Sequence, residues 1–212
     1  MKRILLTLAL CLALAACHDD TAPGSGSTTT PTRKSTMNDK LNIQHNPHPK
    51  MRYEITLTIQ DAPGPFDSVT GHMQYEVENE RCSPENPISG TYEKRPRINV
   101  PIVFSPVGPG VYTSTVYLDL LQDADYFGLG VCRWKMVAVI VGLKAGEVTF
   151  SPNISLNKIA TQQTKIGYFA KETYGQTAIK DLIDGSVPLS DWISKQPEKF
   201  FSATLVAKES FQ

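Results

Sequence analysis

From residue 51 onward, apolar side chains recur at every second position, and this period most narrows what the chain can become. Tyr53, Ile55, Leu57 and Ile59 share one phase while Glu54, Thr56 and Thr58 take the other. Met73, Tyr75 and Val77 repeat the pattern against Gln74, Glu76 and Glu78. A period of two sends the sets to opposite faces of a half-buried strand; an amphipathic helix needs 3.6. Further candidate strands cover 100–104, 111–118, 131–143, 147–155, 165–169 and 200–207. Pro101 cannot donate to a ladder, which places its strand at an edge or a bulge. Val137 to Val141 is apolar on both faces and therefore reads as central. Turn residues cluster at Asp61–Pro65, Pro106–Gly110 and Lys144–Gly146. About eight strands at this spacing predict an all-β fold over 51–212, an antiparallel β-sandwich of immunoglobulin- or transthyretin-like kind. One segment near the C-terminus, Glu172 to Glu198, breaks the rhythm. It reads as a long loop with a short helix over Thr177–Ile183 ended by Gly185, either functional or an inert surface insertion.

The chain's 212 residues provide for a single core. Its 21 basic and 21 acidic side chains balance, so there is no electrostatic footprint for nucleic acid.

The first residues read as an address. Met1-Lys2-Arg3 precedes an apolar run from Ile4 to Ala16. As a helix that run rises only ~20 Å, short of a hydrocarbon core of ~30 Å, so it reads as an export signal over 1–16. Leu14-Ala15-Ala16-Cys17 resembles the lipobox of bacterial lipoproteins. The resemblance implies cleavage before Cys17, diacylation of its thiol and acylation of the new amino group. Several acyl chains at ~0.8 kcal/mol per buried methylene anchor such a chain to a membrane essentially for good. His18, rather than an aspartate, follows the cysteine; by resemblance to lipoprotein sorting this implies the outer membrane, facing the periplasm. Ser, Thr, Pro or Gly fill 15 of the 33 positions from His18 to Lys50, so 17–50 reads as the acylated cysteine and a disordered tether. His45 and His48 fall in that tether with no third metal ligand nearby.

With Cys11 in the leader and Cys17 acylated, Cys82 and Cys132 remain, and two thiols in an oxidising compartment pair by default. Such a bridge closes a loop of about 50 residues, contributes ~4 kcal/mol in the chain-entropy model, and should pack against Trp134.

Catalytic chemistry is sparse. Of four histidines only His72 lies in the expected folded part, beside no signature serine or free cysteine. Gly128-Leu129-Gly130 lacks the third glycine of a dinucleotide fingerprint and precedes a strand; it reads instead as a close backbone approach around the disulfide. No catalytic residue, cofactor or metal is assigned. Asp119, Asp123 and Asp125 suit either a calcium loop, though Phe127 breaks the ligand order, or a hairpin turn whose carboxylates cap amides. Asp123, Asp125, Tyr126 and Phe127 also make a candidate protein-binding loop, with Tyr174 and Trp192 adding aromatic character in the later irregular region. Alternatively, Tyr126 and Phe127 plug the end of the sandwich.

The run from Thr113 to Trp134, containing Asp119-Leu-Leu-Gln-Asp-Ala-Asp-Tyr-Phe-Gly128 and Gly130-Val-Cys132-Arg-Trp134, resembles small proteobacterial lipoproteins of interbacterial competition loci. Asp61-Ala-Pro-Gly-Pro-Phe66 and the cysteine at 82 are similar too. The resemblance covers about residues 53–150. It implies an immunity protein whose partner is a cognate secreted effector, often a phospholipase, delivered by a type VI or type IV system. On that expectation the 119–128 loop and the 168–192 region cap the effector's active-site mouth. Two other classes fit the residues: an envelope assembly lipoprotein that binds a cell-wall component, and an inhibitor of a host lysozyme or protease.

Overall fold

The computed structural model describes residues 42–85, 88–90, 95–177, 182–184 and 190–210, the backbone alone at 182–184. The expected signal (1–16), Cys17, the tether up to residue 41, and Gly185 lie outside these residues. The strands are β1 (Arg52–Gln60), β2 (Ser68–Val77), β3 (Arg97–Val103), β4 (Ser105–Gly108), β5 (Val111–Tyr117) and β6 (Trp134–Ala145). They continue with β7 (Val148–Ser151), β8 (Asn153–Ser155), β9 (Lys165–Ala170), β10 (Leu182–Asp184) and β11 (Phe200–Glu209). Two short helices join them, α1 (Leu156–Ala160) and α2 (Asp191–Lys195).

One sheet has the order β4-β5-β1-β11-β9, the other β10-β7-β6-β2-β3 with β8 also on β6. Neighbours run antiparallel except β10, which lies parallel to β7. The two sheets face each other in a sandwich-like arrangement over one core cluster. Ile55, Leu57 and Leu205 of the first sheet enter it with Met73, Tyr75, Val139, Val141 and Leu143 of the second. The alternation read from the sequence therefore meets its physical cause, one face of each sheet out of water. β6 is central and β3, carrying Pro101, is an edge strand, both as expected.

Four local features depart from the expectation, the first being α2, which stands where the sequence predicts loop. The 147–155 run divides at the buried Pro152 into β7 and β8. The turn-like Ser105–Gly108 pairs with β5 as a short edge strand, and the hairpin closes at Gly110. There φ is +66° and a Cβ would sit 2.7 Å from the Ile59 carbonyl oxygen, so only glycine fits. Leu182 and Ile183, expected in a helix over Thr177–Ile183, lie in β10 and Thr177 in a bend; 178–181 lie outside the described residues.

A bulge in β6 decides which side chains meet. Gln74 pairs with Ala138 but Tyr75 with Met136, so Val137 is the extra residue. Beyond it the inward phase of β6 changes from Val139, Val141 and Leu143 to Met136 and Trp134, while β2 keeps Met73, Tyr75 and Val77 inward. The shift delivers Trp134 and Cys132 to the side where Cys82 waits.

Candidate functional site

Cys82 and Cys132 form the expected disulfide, with S–S 2.03 Å and Cα–Cα 5.2 Å. Val77 and both cysteines make a small buried cluster, against which Tyr126, Phe127 and Trp134 pack. The Tyr126 ring meets Trp134 edge-on with centroids 6.2 Å apart, and its hydroxyl donates to the Gln122 carbonyl at 2.5 Å. The candidate aromatic loop is thus half-buried over the bridge. Gly128 and Gly130 have φ of +73° and +106° with open space where a Cβ would stand. Their role is conformational, not the close approach the sequence suggested.

The three aspartates around this loop act separately. Asp123 accepts from the Trp134 amide at 2.9 Å and Asp125 from the Leu129 amide at 3.1 Å. Asp119 accepts from the amides of Lys50 and Met51 at 2.9 and 3.0 Å. Each carboxylate therefore caps backbone, and among the described residues no three His, Cys, Asp or Glu groups gather to hold a metal ion.

Asp119 anchors something the sequence did not show. Residues 42–50, read as tether, lie across this end of the sandwich. His45 bridges Leu121, and Asn46 donates its amide to the Leu120 carbonyl and its side chain to that of Asp119. Gln122 returns a bond to Gln44. Beneath the strap the Tyr75 hydroxyl donates to the Tyr117 carbonyl; burial, then the nearby Asp119 charge, pushes its ionisation far above the ordinary phenol range. A cavity of about 520 Å³ opens beside the strap, lined by Asn46, Met51, Leu118, Asp123, Trp134 and Met136 among others.

Tyr174 and Trp192 stand at the other end. Tyr174 packs on Phe66 and Phe150, and its hydroxyl donates to the Pro65 carbonyl. Burial, then the charge of Asp67, raises its pKa above the usual tyrosine value. Trp192 is 58% exposed, its ring set edge-on against Phe200 at 4.9 Å. A cavity of about 320 Å³ beside it is lined by Ala170, Lys171, Glu172, Trp192, Lys199 and Phe200. β2 starts next to Phe66 and ends at Val77 by the disulfide, so the two aromatic groups are separated by its ten residues, about 30 Å. Among the described residues, the loop at 119–128 and the aromatics Tyr174 and Trp192 therefore do not form one continuous mouthpiece. The sequence held no signal for Lys171, Glu172 and Lys199 as neighbours of Trp192, because a β9–β11 pairing brings them together.

His72, the one histidine expected in the folded part, sits half-buried on β2 between Pro101 and Ile140, and burial lowers its pKa. No protein-family model matches the chain, and neither does any curated protein or solved structure.

Proposed function

We propose that this protein is an outer-membrane lipoprotein facing the periplasm that binds and neutralises a toxic antibacterial effector by covering its active site. The partner in this reading is a secreted effector of the type VI or type IV kind, a phospholipase being the foremost class. The proposal extends to the fold, placing the sandwich with immunoglobulin- or transthyretin-like domains on the strength of its two facing, largely antiparallel sheets.

The observation that carries the reading is the molecule's polarity. The chain enters the fold at the disulfide end, where the strap of 42–51 is fastened to Asp119. The opposite end is free of that attachment and presents Trp192, an exposed aromatic held on Phe200, as interface hot spots are. A tethered inhibitor is also held at high local concentration beside the lipid its target attacks. On this reading the Trp192 end makes the contact, and Tyr126 and Phe127 serve the fold.

Co-expression with the toxin encoded beside it, directed to the periplasm, tests this. Growth is restored by the wild-type lipoprotein, and Trp192→Ala lowers protection at least tenfold while melting within about 1 kcal/mol of wild type. Growth that collapses equally with and without the lipoprotein sinks the reading.

A further inference from the structure

A second surface lies along the outer edge of β5. Leu118 donates to the Met51 carbonyl at 2.9 Å and Ile59 to the Gly110 carbonyl at 2.8 Å, one bond at each end of the β1–β5 ladder. Hydrogen-bonded pairs recur every second residue in an antiparallel ladder, so Gly110, Tyr112, Ser114, Val116 and Leu118 exchange bonds with β1. Val111, Thr113, Thr115 and Tyr117 therefore direct their backbone groups to the other side. β4 takes up only Val111–Thr113 there. At Phe104 the chain passes to β3, which pairs with β2 in the opposite sheet. Among the described residues no strand runs beside Thr115 and Tyr117.

That gap is a groove of about 530 Å³. Ser105 of β4 stands at one end and His45 with Leu120 at the other. Its inner wall is apolar, from Met73, Val100 and Ile102, and Glu54 of β1 lies on its outer side next to Thr115. A strand laid here would run four residues, about 14 Å, opposite Ser114–Tyr117. Its residues facing Ser114 and Val116 would point inward to the apolar wall, because both of those side chains are buried. The residue facing Thr115 would point outward, on the side of the Glu54 carboxylate.

We propose that this notch is a docking site for an extended peptide of alternating apolar and basic residues, which adds to β5 as a strand. Backbone bonds to Thr115 and to the Tyr117 amide supply affinity, the Tyr117 carbonyl being already held by the Tyr75 hydroxyl. The apolar wall selects every second side chain, and Glu54, which lies between Thr115 and Lys208 of β11, selects a cation between them. The site is separate from Trp192 and does not depend on the effector reading.

Amide exchange on the ¹⁵N-labelled full-length protein tests it, with acetyl-Val-Lys-Val-Lys-Val-Lys-amide as the probe. The expected result is exchange at least tenfold slower at Thr115 and Tyr117, with Ser114 and Val116, already bonded to β1, unchanged. The same peptide N-methylated at alternate residues, and a Val-Glu analogue, should both fail. Thr115→Pro removes a donor that β1 does not use and should abolish binding, while Thr115→Val retains it; should the proline variant not fold, the wild-type exchange pattern and the methylated control still decide. Equal protection by the methylated peptide, protection elsewhere only, or none at millimolar probe overturns the proposal. So does protection that grows with protein concentration alone, which assigns the notch to a second copy of the chain.

Discussion

The two ends of this sandwich are held together by different physics. At the Trp192 end, Phe150 lies at the centre of a cluster of rings. Its centroid is 4.9 Å from Phe201, 5.4 Å from Phe169 and 6.2 Å from Phe66, and Phe169 stacks on Phe201 at 5.2 Å. At the strap end a second, small cluster of Val77 and the two half-cystines is buried apart from the main core. There a covalent bridge and aspartates capping amides do the fixing. An irregular loop cannot alternate apolar residues into a core, so it is ordered by staples and caps; regular strands leave ring packing to do the same work at the opposite end.

Four substitutions break or sharpen this contrast. The largest effect is expected from Phe150→Ala, about 4–5 kcal/mol by chemical denaturation, since it removes a buried ring with several aromatic neighbours. An unfolding midpoint near wild type would mean that the rings do not hold that end. Next comes loss of the bridge in a Cys82→Ala/Cys132→Ala variant, ~4 kcal/mol, or about 8–16 °C in Tm for a domain of this size. Amide exchange should then rise first at 123–134, while the ring cluster stays protected. Equal loosening of both ends would refute the division.

Asp119→Ala should cost about 2 kcal/mol, because two backbone amides lose a charged acceptor. Its signature is local: limited proteolysis should begin within 42–51. Cleavage elsewhere would show that the strap is secured by its backbone bonds to 120–122 alone. The smallest effect is a pH dependence from His72. Burial lowers its folded pKa below the unfolded value of about 6.5, so the neutral imidazole favours the fold. Stability on this account is complete above that unfolded value and declines as pH falls through it. Melting at pH 5 and 7.5 should differ slightly less in His72→Gln than in wild type, and an identical difference removes His72 from the account.

Much of the architecture was legible because burial leaves a period. Tyr53, Ile55 and Leu57, and likewise Met73, Tyr75 and Val77, announce their strands and their inward faces, and all six are buried. The Cys82–Cys132 pairing followed from an expected oxidising compartment and from setting aside the cysteines of the expected leader and lipid anchor. The short strands were not legible: Ser105–Gly108 carries turn residues and becomes a strand only because β5 offers it a partner. Neither was the helix expected at 177–183 separable from a strand, since Leu182-Ile183 suits both and the pairing with β7 decides. For the candidate site, the sequence marked Tyr126, Phe127, Tyr174 and Trp192 as aromatics in irregular segments; the first three lie in loops and turns, but Trp192 stands on α2. It could not say that the first pair covers a disulfide while Trp192 stands in solvent 58% exposed.

By itself, then, the sequence determined the long strands and their inward faces, which are written in local spacing, and the covalent link, which is written in residue type. Tertiary structure alone decided that residues 42–50 strap one end, that the two aromatic groups lie a strand's length apart, and that, among the described residues, no strand covers the outer edge of β5 beyond Thr113. Those are long-range facts, set by which backbone segments find hydrogen-bond partners, and neither side-chain identity nor periodicity encodes them.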